Sequence, residues 1–145
     1  MENKQIVGYE IHTLDNMIGR IVKLLIEKNG ITQMQSWIIN YLYDHPEEDV
    51  FQKDLESQFR IARSTATGIL KLMEKKELLR REPVPSDARL KRLVLTEKGI
   101  GKKLAIIRSL DEIETLLKDQ ISQDELDTFF SVIHQMKRNI EHRQF

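Results

Sequence analysis

At 145 residues, with 40% hydrophobic and 32% charged residues, the chain has room for one ordinary domain or a small domain with an oligomerisation arm. It has no cysteine, which excludes disulfides, thiol redox sensing, thiolate zinc sites and cysteine nucleophiles together. Lys+Arg and Asp+Glu are both 23, so the formal net charge is zero. No apolar run approaches the roughly 20 residues needed to span a membrane, and no signal-like apolar segment follows Met1–Gln5, so a cytoplasmic protein with no membrane partner is expected.

A first helix is predicted over residues 5–28. Leu14, Met17, Ile18, Ile21, Leu24 and Leu25 keep helical spacing there, with Ile6 and Tyr9 extending the stripe upstream. Asn29-Gly30 stops it, and Thr32-Gln33-Met34-Gln35 fits a capping box. The second helix is expected to bury Met34, Trp37, Ile38, Tyr41 and Leu42 and to end at His45-Pro46. A short helix around Gln52–Gln58 follows, burying Leu55 and Phe59.

The chain is organised around Phe51–Gly99, which reads as helix, turn, helix, strand, basic loop and strand. The second of these helices begins near Ala62. Ala66, Ile69, Leu70 and Met73 recur at i, i+3, i+4 and i+7 and make its buried stripe. Arg63, Thr67 and Lys71 lie opposite, with Ser64 beside them. Short hydroxyls and long cations near a helix N-terminus suit phosphates and base edges in a major groove. Leu79–Thr96 then carries Arg80, Arg81, Arg89, Lys91 and Arg92 around a Pro-Val-Pro-Ser-Asp turn, the pattern of a two-stranded wing. From Arg60 to Arg92 there are ten basic and four acidic residues, a net of +6, which leaves −6 elsewhere. Such segregation is what a local nucleic-acid footprint requires.

After the wing, Thr96 is the expected N-cap of a helix with the apolar line Ile100, Leu104, Ile107, Leu110, Ile113 and Leu117. Ser122-Gln123-Asp124-Glu125 is a second capping box, opening a helix that is expected to bury Leu126, Phe129, Phe130, Ile133, Met136 and Ile140. The first and last helices carry more apolar surface than the small central block can cover. They are expected to pack together and against a second copy of the chain, which would present two recognition helices to two half-sites. The fold class expected is therefore mainly α with a small two- or three-stranded β-wing. Residues 31–99 would form a winged helix-turn-helix DNA-binding lobe, and residues 1–30 and 100–145 the dimerisation helices, in a single domain over 1–145.

The order of elements and several motifs resemble the MarR family of winged-helix transcriptional regulators, over essentially the whole chain. The most specific piece is Asp87-Ala88-Arg89 followed by Leu95-Thr96-Glu97-Lys98-Gly99. Arg63-Ser64-Thr65-Ala66-Thr67 and Met73-Glu74-Lys75-Lys76 resemble the family's recognition-helix segment. The resemblance implies a homodimer on a short pseudopalindromic operator, usually a repressor, and often one released by a small aromatic or anionic effector. It places Arg63, Ser64, Thr65, Thr67 and Lys71 on the major-groove helix and Arg89 at the wing tip, probing the minor groove; Lys91, from the basic wing segment, is a further DNA-binding candidate. Asp87 would pair with an arginine to hold the wing tip. Three positions depart from the family pattern. Ala62 offers no side-chain cap, Gly68 replaces a longer side chain, and Glu77 stands where a helix-ending Gly is usual.

Other chemistry finds less support. His12, His45, His134 and His142 lack the HxxxH and HExxH spacings, so no metal is expected, and no cofactor motif occurs. Gly99 and Gly101 lack the context of a phosphate-binding loop. No nucleophile elbow is present, and the chain is not read as an enzyme. Trp37 and Tyr41 share one helix face, which suits core packing. They also lie where the resemblance would put an effector cavity, with Tyr9, His12 and Met17 opposite. The competing functional class is a winged-helix protein-interaction module that reads no DNA.

Overall fold

The computed structural model describes residues 5–143. Six helices and one hairpin follow in the order α1 (Val7–Lys28), α2 (Gln33–Asp44), α3 (Gln52–Phe59), α4 (Arg63–Lys75), β1 (Leu79–Val84), β2 (Asp87–Leu95), α5 (Glu97–Leu117) and α6 (Gln123–Glu141). The chain divides into two compact units, one ending at Ser109 and one starting at Leu110. Among the described residues no helix is long and apolar enough to cross a membrane.

In the first unit, local chemistry sets the helix ends. At the start of α2 the Thr32 hydroxyl accepts from the Gln35 N–H (3.2 Å) and the Gln35 side chain accepts from the Thr32 N–H (3.1 Å), the predicted capping box. α3 opens with Asp54 Oδ2 accepting from the Phe51 N–H at 2.7 Å. α4 starts at Ala62 with no side-chain cap, as its alanine dictates. Its other end is closed by two backbone bonds, Leu78 N–H to the Met73 carbonyl and Glu77 N–H to the Glu74 carbonyl, both 2.9 Å. This is the Schellman arrangement, and it forces Glu77 to a left-handed φ of 59°. Glycine there would avoid the Cβ strain. We expect Glu77→Gly to stabilise the fold by about 0.5–1 kcal/mol, read as a raised urea midpoint at constant slope.

The core of this unit is built from Ile38 and Ile39 of α2, Leu55 of α3, Leu70 and Met73 of α4, and Leu78 just before β1. Ala66, Leu70 and Met73 are buried and Ile69 half-buried, as the recognition-helix stripe requires. On one helix the buried face differs from the sequence expectation. On α2 the core stripe is Gln35, Ile38, Ile39 and Leu42, so Trp37 lies one row away and is 45% exposed instead of buried. α1 reaches the core through Val22 and Ile26, and Leu14, Met17, Ile21 and Leu24 stay exposed. On α5, Ile106 enters the core, whereas Ile100, Leu104, Ile107 and Leu110 remain exposed. Periodicity located these apolar rows, and several of them are exposed among the described residues.

β1 and β2 pair antiparallel across a two-residue Pro85-Ser86 turn. The register runs from Leu79 opposite Leu95 to Pro83 opposite Lys91, and then jumps, with Val84 opposite Asp87. Ala88, Arg89 and Leu90 are thus left unpaired as a wide bulge on β2. The sheet has two strands. On the other edge of β2, a single bond from the Leu93 N–H to the Val50 carbonyl (2.7 Å) is all that stands in for a third.

The second unit comprises the end of α5 and α6. Ser122 and Glu125 form the second capping box, with the Glu125 carboxylate accepting from the Ser122 N–H at 2.8 Å. Ile113 is buried. Within the single chain α6 buries no residue; its apolar stripe is one of those expected to be covered by a second copy. Leu126, Ile133 and Met136 are half-buried, and Phe129, Phe130 and Ile140 are exposed. The Phe129 and Phe130 rings meet edge to face at 5.5 Å.

Candidate nucleic-acid interface

α4 and the hairpin flank one cleft of about 440 Å³, whose walls include Arg63 and Thr67 on one side and Arg89 and Lys91 on the other. Arg63, Ser64, Thr65 and Lys71 are exposed on α4, while Thr67 is half-buried. The Thr67 hydroxyl is already engaged. It donates to the Arg63 carbonyl (2.9 Å) and accepts from Gln52 Nε2 (2.9 Å). Gly68 faces open space, with nothing within 4 Å of where a Cβ would stand.

At the wing, Arg89 sits in the middle of the bulge and its side chain is 91% exposed. Asp87 holds it in a fork. Arg89 Nε donates to Oδ1 and Nη2 to Oδ2, both at 3.2 Å, and the Arg89 N–H donates to Oδ1 at 3.0 Å. These bonds, the side-chain pair first and the backbone bond second, hold the Asp87 carboxyl below the usual carboxylate range. Further down the wing, Glu82 is depressed by Arg92 first and then by Arg80. Arg92 bonds both Glu82 (3.0 Å) and Asp49 (2.9 Å), and Arg80 bonds Glu82 (2.8 Å). Folded values below unfolded ones mean that these pairings are complete above the ordinary carboxylate range and are lost as pH falls through the lowered values. We expect the Arg89 Nε–H resonance to be constant from about pH 5 to 8 and to move only below about pH 4; Asp87→Asn should abolish that transition.

The basic count therefore overstates what faces outward. Arg80, Arg81 and Arg92 are committed to Glu82, Glu74 and Asp49, and Lys76 Nζ caps the Gly30 carbonyl at 2.9 Å. Among the described residues Arg63, Lys71 and Lys91 have no such acidic partner, and Arg89 is paired only at the solvent-facing tip. Sequence reasoning missed Gln52. It joins residues 15 and 29 positions away, and no local signal marks it.

The second set of candidates is only partly assembled. Trp37 stacks near-parallel on Phe59 at 6.5 Å, and Tyr41 meets Phe59 edge-on at 6.0 Å and His45 at 4.3 Å. His45 also lines an apolar cleft of about 540 Å³ with Leu42, Tyr43, Val50, Leu93 and Ile100. Tyr9 and Met17 are exposed. His12 lies within 3.0 Å of Asn16, one turn along the same helix. Tyr9 stands 17 residues from Ile26, about 25 Å along α1 from where that helix meets the core. Among the described residues, the aromatic contacts of Trp37 and Tyr41 and the lining of the apolar cleft include none of these α1 residues. Among the described residues no group of three or more His, Asp or Glu side chains is placed to hold a metal ion.

A helix-turn-helix whose second helix is followed by a hairpin bearing an exposed, forked arginine defines a winged helix-turn-helix protein. The MarR family model matches residues 29–90, which span α2, α3, α4 and most of the wing. The HTH-type transcriptional regulator YybA of Bacillus subtilis is 23% identical over 133 residues, 91% of this chain and 87% of that protein. Among solved structures, the transcription regulator MarR from Oenococcus oeni is 29% identical with a TM-score of 0.60, covering 92% of this chain and 99% of its own. The S. aureus MepR–DNA complex is 25% identical with a TM-score of 0.80, covering 92% and 98%. MepR, a transcription regulator of the S. aureus multidrug efflux pump MepA, reaches a TM-score of 0.87 at 24% identity, covering 94% and 99%. Over residues 29–90 the chain is similar to the MarR family of transcription regulators, and over most of its length it has the winged helix-turn-helix fold of the solved members.

Proposed function

We propose that the chain is a cytoplasmic repressor that binds a pseudopalindromic operator as a homodimer and is released by a small aromatic or anionic effector. The observation that carries the DNA reading is one cleft walled by two kinds of reader. Arg63 and Lys71 stand unpaired on the exposed side of α4, and Arg89 projects from the wing bulge. Arg63, Ser64, Thr65, Thr67 and Lys71 enter the major groove in this reading. Lys91 meets a phosphate, and Arg89, oriented by Asp87, enters the adjacent minor groove. The DNA-bound state of the similar MepR supports the same use of the fold. Uncovered apolar rows on α1, α5 and α6, including Leu24, Leu104, Leu110 and Phe130, support a second copy of the chain as their cover. For the effector, the support is the Trp37–Tyr41–Phe59 cluster, which adjoins the apolar cleft through His45, and that cleft has the size of a small-molecule site.

The test is selection of duplexes from the source genome by the purified protein, followed by binding to the selected site across a salt series. The expected result is dimer binding with two half-sites about one helical turn apart and a steep negative salt slope. Binding without sequence preference, or none at all, would favour a protein-interaction module instead.

A further inference from the structure

Gln52, the first residue of α3, is the point where three elements of the lobe meet. Its Nε2 donates to Thr67 Oγ1 on α4 (2.9 Å) and to Glu56 Oε1 on its own helix (3.1 Å), and lies 3.4 Å from the Arg63 carbonyl. Its Oε1 accepts from Arg81 Nη2 on β1 at 3.3 Å. The amide orientation is fixed by this surround, since a flip would face the oxygen to the Glu56 carboxylate and the amine to a guanidinium. Arg81 is tied back to α4 by Glu74 at 3.2 Å. Gln52, Thr67, Glu74 and Arg81 are all half-buried, at the cleft between helix and wing or directly behind it.

We propose that Gln52 is a positioning residue for DNA reading: by bonding Thr67 and Arg81 at once it sets the spacing between the recognition helix and the wing. The inference rests on the DNA-binding reading above. A helix in one groove and a wing in the next must keep a fixed offset along the duplex. The base of the hairpin is tied to the lobe by Arg81–Glu74, Arg92–Asp49 and the Leu93–Val50 bond, but beyond that base the two-stranded ribbon has little stiffness alone. Gln52 converts α3 into a brace between the two readers.

The experiment uses the full chain and a duplex that it selects from a randomised library, alongside a version with one base pair inserted between the helix-protected and wing-protected segments. Gln52→Ala should bind the selected duplex about 3- to 10-fold more weakly, the net worth of about one hydrogen bond. It should also discriminate against the inserted duplex at least about threefold less than the parent, because the offset is no longer fixed. Gln52→Glu keeps the acceptor for Arg81, loses the donor to Thr67 and faces Glu56 with a like charge, so it should lose affinity similarly. Thr67→Val removes the partner, and Gln52→Ala combined with Thr67→Val should be no worse than the weaker single variant, since both break one brace. Additive losses would mean that Gln52 and Thr67 act on binding independently and would overturn the inference. So would a Gln52→Ala chain that keeps the parent's affinity and spacing preference. If Gln52→Ala melts lower, the cycle is read on Gln52→Glu and Thr67→Val. An unaltered chain that shows no salt-dependent binding to any duplex would overturn the DNA reading itself, a different outcome from failure of the brace.

Discussion

Gly99→Ala should be among the most damaging single-methyl additions in the lobe, whereas Gly101→Ala, two residues on, should stabilise it. Gly99 lies in the first turn of α5, where its N–H donates to the capping hydroxyl of Thr96 at 3.1 Å. A Cβ built there would stand 2.1 Å from the Leu78 carbonyl oxygen, 3.1 Å from its carbon and 3.2 Å from a Leu95 methyl. The first obstacle is backbone and cannot rotate aside. That carbonyl also accepts from the Thr96 N–H at 3.2 Å, and the Thr96 hydroxyl donates to the Glu77 carbonyl, so the base of the wing would have to part from the start of α5. Overpacking of this kind costs about 1–3 kcal/mol or more. Gly101 has nothing within 4 Å and sits in the helix interior, where alanine is favoured by about 0.5–1 kcal/mol. Urea unfolding of the two variants should therefore move the midpoint in opposite directions at an unchanged slope. A Gly99→Ala chain as stable as the parent would mean that α5 and the wing are not in the close contact described here.

The contrast between these glycines also shows what a sequence makes legible. Both capping boxes, Thr32–Gln35 and Ser122–Glu125, could be read because each is a bond between residues three apart. The stripe of Ala66, Leu70 and Met73 and the hairpin around Pro85-Ser86 were legible for the same reason. Glu77 was recognisable as a misfit at a position needing a left-handed residue, and its φ is positive. Periodicity tells which rows of a helix are apolar but not what covers them. Trp37 lies one row off the buried stripe, and periodicity alone does not separate the exposed rows of α1, α5 and α6 from core rows such as Val22, Ile26 and Ile106. Long-range pairing was illegible altogether. Nothing near Arg92 announces Asp49, 43 residues away, and nothing near Gln52 announces Arg81. The net charge of the block counted cations that the fold spends internally. At the wing tip the Asp87–Arg89 pair is two residues apart, and there the expectation from motif and the observed fork can be set side by side.

Arg63→Ala and Arg89→Ala should both weaken operator binding, and should do so in distinguishable ways. Arg63 is the first residue of α4, exposed, at the end of the helix that would point into the major groove. Each base pair shows a unique pattern there, so loss of a base-contacting arginine should cost about 1–3 kcal/mol and relax preference at one operator position per half-site. Arg89 extends from an unpaired bulge and is held by Asp87 alone among the described residues. In a minor groove it senses width and negative potential, so Arg89→Ala should weaken binding to many sequences, most of all those with A·T-rich flanks. It should also lower the salt slope by about one unit per wing. Asp87→Ala separates orientation from charge. It removes the fork and leaves the guanidinium in place, so affinity should fall by less than in Arg89→Ala while the salt slope stays that of the parent. All three side chains are at the surface or half-exposed, and the variants should keep the parent's helical content. The measurement is a salt-titrated binding series on the selected operator and on versions with altered flanks. If Arg89→Ala binds every version as tightly as the parent, the wing does not probe the minor groove. If Asp87→Ala lowers the slope as much as Arg89→Ala does, the aspartate is needed to bring the charge to the DNA at all, and not merely to orient it.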